Sequence, residues 1–297
     1  RSASACNAWR SVLRRRSLVA ARIRVRISRM AASTEKHATL DDSRWSDVYW
    51  EVIDPLFANM RDVTRYAISA RSTIKSLGDE VDLVDLLAME ALRVFRPELV
   101  QQLSTLRSDL TNAREIMGRK DEQAQKRITA LLAKFPDDDD VIRALINRVF
   151  PVALQYIENN HYGSDWLSTW RTAHRMAHID FLNLYFDRVA PDELVAFRSS
   201  EHAFELLSDG AALKAYLTGL DPEQLETVLE GLTSYEAKFT NDMIVPGSMT
   251  LLNLIDAIPE KKQRGFFDIG RRDITVARVV LRLLRRVEDE SEREALV

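Results

Sequence analysis

If the chain is helical from Asp62 to Leu77, Arg61, Arg65, Arg71 and Lys75 share one face. At 100° per residue, Val63, Tyr66, Ala67, Ala70, Ile74 and Leu77 gather on the other. Such a helix docks on a core and carries a basic ridge outside, which taken alone reads as a solvated face or a set of salt bridges to nearby acids. His174 and His178, in HRMAH, stand four apart and would lie on one helix face, the spacing zinc proteases use. Arg175 occupies the place of the catalytic glutamate, however, and no third ligand is evident, so packing or surface roles are expected. His161, Ser164 and Asp165 contain the letters of a hydrolytic triad, but they cluster in one loop with no nucleophile elbow around the serine. The run Asp137 to Asp140 lacks the alternating ligands, central glycine and distal glutamate of a calcium loop, and reads as an acidic cap for the next helix. No GxxxxGK[ST] string is present to cradle phosphate. Val52-Ile53-Asp54 is the nearest imitation of a Walker B strand. Trp50 and Glu51 interrupt its apolar run, which favours a helix. No catalytic residue and no metal ligand is assigned.

The elements that must position these residues are helical. Trp45 to Phe57 opens the series with Ser43 as its cap, followed by 61–77, with Gly78 as a left-handed stop. Asp82 caps the next helix, 83–95, whose apolar residues wrap most of the cylinder and predict burial. Pro97 starts a helix to 111, and a thinner stripe of Ile116, Ile128, Leu131 and Leu132 extends a charged helix over 112–134. Pro136 and the aspartates mark the best internal boundary, ahead of a helix from Val141 to Ile157. Trp166, Leu167 and Trp170 belong to a helix capped by Ser164 or Asp165. Asp180 opens an aromatic helix through Phe181, Leu184, Tyr185 and Val189, and the aromatic group of Trp166, Trp170, Phe181, Tyr185 and Phe186 is expected in a core. Asp221-Pro222-Glu223-Gln224 has the form of a capping box, and Ile274 to Val287 forms a last helix with Val276, Val279, Val280 and Leu283 inward.

The strings RDVTRY and GDEVDLVDLLAMEALRVFRPELV carry a family likeness. They resemble the helical region after the Walker B strand of KAP-family P-loop NTPases, where a PRDVKRxxN helix precedes an acidic-capped LLxLEALR helix. The likeness runs more weakly from about Asp41 to the C-terminus through HYGSDWLSTWR and FLNLYF. Met60 stands where the family usually has proline and Ile68 where it usually has asparagine, so any polar contact made through that asparagine is absent here. The resemblance implies a nucleotide-binding core upstream of Arg1 that holds ATP and Mg, with no cofactor bound by this chain itself. It further implies that Arg61 or Arg65 senses nucleotide by reaching the γ-phosphate. Its further implications are a regulatory or assembly role, a protein partner or homo-oligomer, and a cytoplasmic location with membrane association of the intact protein. The alternative is a non-enzymatic α-helical protein-interaction scaffold.

Size and composition bound these readings. The 297 residues include only 9 Gly and 8 Pro, too few for the turns of a strand-rich fold, so an all-α fold is expected, an irregular multi-helix bundle or stacked array without a substantial sheet. Cys6 is the single cysteine, which excludes an intrachain disulfide or a cysteine-based zinc site. No apolar run is long enough to span a bilayer. Residues 1–30 hold nine arginines and no acid, leaving 33 basic against 45 acidic side chains beyond them, a balance of −12. The body is therefore no general nucleic-acid binder, although the arm imitates one and also imitates a transit peptide. The expected organisation is a basic, disordered leader over 1–37, a KAP-like helical region over 38–135 and a C-terminal helical domain over 136–297.

Overall fold

The structure, a computed structural model, describes residues 41–112, 115–116, 119–158, 165–190, 192–255 and 271–285. The leader over 1–37 and the loop residues 159–164 lie outside them. The fold is all-α. Among the described residues the one sheet is a two-residue hairpin, β1 (Glu115–Ile116) against β2 (Arg119–Lys120).

Two compact units divide the chain, one ending at Val189 and the other beginning at Ala190. The boundary expected at Pro136 is corrected: Pro136–Asp138 is a single 3₁₀ turn inside the first unit, where Arg96 grips Asp138 at 2.7 Å. Four carboxylates in a row do not end a unit when one of them is buried and paired.

The first unit starts with α1 (Asp42–Val48), capped by the Asp41 side chain rather than by Ser43. It continues as a π-helical turn over Tyr49–Ile53 and a 3₁₀ turn over Asp54–Leu56, so the Walker B imitation is helical and its Asp54 is buried. A capping box of Asn59 and Asp62 then starts α2 (Met60–Leu77). Gly78 ends it with φ −64°, not the left-handed geometry expected. Its glycine is needed for close approach, since a Cβ would lie 2.5 Å from the Ile74 carbonyl oxygen.

Helix α3 (Leu83–Phe95) is the axis of the first unit, and every residue from Leu83 to Leu92 is buried. Leu86, Leu87, Met89 and Leu92 have no measurable exposure, and each contributes on the order of 1.5–3 kcal/mol by burial. Around it come α4 (Pro97–Thr105) and α5 (Arg107–Thr111), one expected helix broken at Leu106. The helix expected over 112–134 begins only at Glu122. Asn112 is extended, the hairpin intervenes, and Asp121 caps α6 (Glu122–Lys134). Gly118 within the expected helix would have cost about 1 kcal/mol relative to alanine. Likewise α7 (Asp139–Val149) stops before Pro151, whose missing N–H turns the following Pro151–Tyr156 into 3₁₀ geometry. The unit closes with α8 (Asp165–Thr172) and α9 (Ile179–Asp187).

The second unit contains α10 (Asp192–Glu205), α11 (Gly210–Thr218), α12 (Pro222–Leu232), a 3₁₀ segment Thr233–Lys238, α13 (Asn241–Leu254) and α14 (Arg271–Leu284). The Asp221–Gln224 capping box forms as expected, and Val276, Val279, Val280 and Leu283 are buried. Helices α10 and α12 approach so closely that a Cβ on Gly231 would sit 2.1 Å from the Ser200 hydroxyl.

Candidate functional site

Two sets of charges distinguish the first unit, one buried beneath α3 and one exposed along α2. Asp85 and Glu90 lie on α3 where the cylinder is otherwise apolar, and neither has measurable exposure. Ionised groups there require partners, because an unpaired buried charge costs several kcal/mol. Arg44 of α1 meets Asp85 at 2.5 Å and both oxygens of Asp82 at 3.0 Å. Arg175 donates its Nε–H to the other oxygen of Asp85 at 2.7 Å, and its Nη2 donates to the Arg148 carbonyl at 2.7 Å. The Met176 amide donates to that same Asp85 oxygen at 3.0 Å. Asp82 accepts from the Asp85 amide, while its own amide donates to the His174 carbonyl.

Two guanidinium groups and two carboxylates thus close into a neutral cluster joining α1, α3 and the turn after α8. Burial, and then the adjacent Asp85 carboxylate, push Asp82 up to about 6. Burial pulls the Arg44 guanidinium down, but Asp85 and Asp82 outweigh it and hold Arg44 above its ordinary value. Both oxygens of Asp85 are engaged, so the cluster fixes the elements that meet there.

Five residues along α3, Glu90 accepts from Ser69 of α2 at 2.5 Å and from Arg93 at 2.6 and 2.9 Å. Arg93 also donates to the Ser69 hydroxyl at 3.0 Å. Burial first, and then the Glu90 charge, raise the phenols of Tyr66 and Tyr185 above their usual range. Tyr66 donates to the Leu87 carbonyl at 3.1 Å.

Arginine–carboxylate ties recur throughout this unit. Arg107 of α5 clasps Asp187 of α9 at 2.6 and 2.8 Å, Arg127 of α6 holds Asp109 of α5, and Arg148 of α7 holds Glu51 of the π turn. Each ties together elements that the sequence separates.

The α2 ridge behaves differently. Arg61, Arg65, Arg71 and Lys75 are all exposed, and none is ion-paired to a carboxylate among the described residues. Arg65 nonetheless has a structural role: its Nη2 donates to the Val94 carbonyl at 3.0 Å and its guanidinium lies 4.7 Å from the centroid of the Phe95 ring. Arg65 stays exposed, as expected, while that contact engages the last turn of α3, where carbonyls lack helical partners. Arg61 makes no such contact. Met60 and Ile68, the two departures from the family pattern, are both largely exposed.

The two histidines do not share a helix face. α8 ends at Thr172, His174 takes a left-handed φ of 54°, and His178 caps α9 by accepting from the Asp180 amide at 3.4 Å. His174 stacks on Phe181 with centroids 4.9 Å apart. Burial lowers the pKa of His178, partly offset by Asp180. No cluster of histidine, cysteine and acid suited to a metal occurs among the described residues. Of the aromatic group, Trp170, Phe181 and Tyr185 are core, whereas Trp166 is half exposed. The triad letters fall in residues 159–165, whose side chains lie outside the described set.

Sequence reasoning passed over Asp85, Glu90, Arg44 and Arg175. The available signal was the pair of acids in the otherwise apolar LVDLLAMEAL, since a helix expected to be buried all round must pair any charge it carries. No family model, curated protein or solved structure matches the chain.

Proposed function

We propose that the chain is the C-terminal helical part of a KAP-like P-loop NTPase, with α2 carrying Arg61 toward nucleotide held by a core encoded upstream of Arg1. The observation that supports this reading is the division of labour between neighbouring arginines. Arg65 is committed to Val94 and Phe95, while Arg61, one turn earlier on the capped end of the helix, is exposed and unpaired among the described residues. A fixed cation on a rigid helix can offset charge on a transferring phosphoryl group without reorganising the site. ATP and Mg would be bound by the upstream core, and the role of this chain would be regulatory or in assembly, in the cytoplasm. Among the described residues no helix is long and apolar enough to cross a membrane.

A second reading, a protein-interaction scaffold, draws support from α13. Val245, Met249 and Leu252 are exposed there at the i, i+4, i+7 spacing of one helix face.

The coding sequence upstream of Arg1 is the first test, and a Walker A string in frame is expected within it. In the intact protein, Arg61→Ala should then lower ATP turnover by at least about tenfold, a floor set well below the roughly 10³–10⁵-fold that a phosphate-directed arginine is worth. Its melting temperature should stay unchanged. Unaltered turnover, or no Walker A string, would remove the nucleotide reading and leave the scaffold.

A further inference from the structure

Across the first unit, arginines are spent on carboxylates, with Arg44, Arg96, Arg107, Arg127, Arg148, Arg171 and Arg175 each reaching an acid within 3.0 Å. Helix α2 breaks this habit. Its one acid, Asp62, is consumed by the capping box, where it accepts from the Ala58 and Asn59 amides. Arg61, Arg65, Ile68, Ser72 and Lys75 follow one another at i, i+4, i+7, i+11 and i+14, the stripe along which a second helix packs, and Arg71 flanks it. All six are exposed, and Ile68 keeps 69% of its surface in water. From Arg61 to Lys75 the stripe extends about 21 Å along the 18-residue helix.

We propose that α2 is a docking face for an acidic amphipathic helix of another protein, with an apolar side chain of the partner over Ile68 and its carboxylates on Arg71 and Lys75. Charge complementarity selects the occupant. Several cations around one exposed apolar residue match a partner that carries acids around an apolar anchor, the arrangement of an interface with a dry centre and polar rim. A bilayer would require a broader apolar band than Met60 and Ile68 supply. Nucleic acid meets cations through its phosphate backbone and brings no aliphatic side chain to cover Ile68. The inference uses Ile68, Arg71 and Lys75 and does not depend on Arg61 or on nucleotide.

The test is fluorescence anisotropy with the full 297-residue chain and four labelled probes. These are an 18-residue Leu/Glu amphipathic peptide, its Leu/Gln twin, phosphatidylserine vesicles and single-stranded DNA. The Leu/Glu peptide should bind at least about tenfold more tightly than the Leu/Gln twin, and the difference should shrink as salt rises. R71E/K75E should weaken that binding by at least about tenfold, and I68S by several-fold, with melting temperatures near that of the parent. R71E/K75E should leave any ATP turnover of the intact protein unchanged, which separates this idea from the nucleotide reading. Equal affinity for the two peptides, insensitivity to R71E/K75E, or stronger binding of vesicles or DNA through the same residues would each overturn it.

Discussion

Helices α2 and α3 lie side by side in sequence and pack on each other, yet they use charge in opposite ways. On α3 the carboxylates are few, buried and fully engaged: Asp85 with Arg44 and Arg175, and Glu90 with Ser69 and Arg93. On α2 the cations are several, exposed and without acidic partners among the described residues. The difference separates charge that holds the fold together from charge that faces water. A buried carboxylate between two guanidinium groups is costly to disturb, because removing one member strands the others in low dielectric. An exposed cation is screened by water, and its removal changes stability little.

The largest effect should come from Asp85→Ala, which leaves Arg44 and Arg175 facing each other across the site of a lost anion. A loss of about 3–5 kcal/mol is expected in urea unfolding, the range for breaking one partner out of a buried pair. Tryptophan fluorescence suits the measurement because the tryptophans among the described residues, Trp45, Trp50, Trp166 and Trp170, all lie in the first unit. A loss below about 1 kcal/mol would erase the contrast with α2.

Next in size is a pH effect at Asp82, raised from 3.8 to about 6 in the fold. Between those values the folded protein binds more protons than the unfolded chain, so this residue's contribution to stability is fully present below pH 3.8 and lost as pH rises through about 6. Wild type should therefore lose about 2 kcal/mol relative to Asp82→Asn between pH 4 and pH 7, at 1.36 kcal/mol for each pH unit over which only the folded protein retains the proton. Asparagine keeps an acceptor for the helix cap. Parallel stability curves for the two proteins would show that Asp82 titrates normally.

Much of this architecture is legible locally. Apolar spacing places α2 and α3 within a residue of their observed ends. The Asp221 capping box and the inward face of α14 are likewise local patterns that packing left intact. Helix interruptions were harder to read, as at Leu106, before Pro151 and in the hairpin after Asn112, where one expected helix becomes two elements. At Pro151 the signal was present, since proline cannot donate the N–H that continuing α7 requires. The Asp85–Arg175 pair spans 90 residues, and no local periodicity encodes which arginine answers a buried acid. His174 and His178 illustrate the reverse error: a helical spacing on paper becomes a turn because His174 is left-handed.

The most direct measurement of the contrast is the urea unfolding of an Arg61→Ala, Arg71→Ala, Lys75→Ala triple variant, followed by tryptophan fluorescence. Stability within about 0.5 kcal/mol of wild type is expected, since alanine suits an exposed helix face and no carboxylate loses a partner there. A loss above about 2 kcal/mol would show that the ridge belongs to the fold, as the charges on α3 do, and would contradict the assignment of α2 to an external ligand.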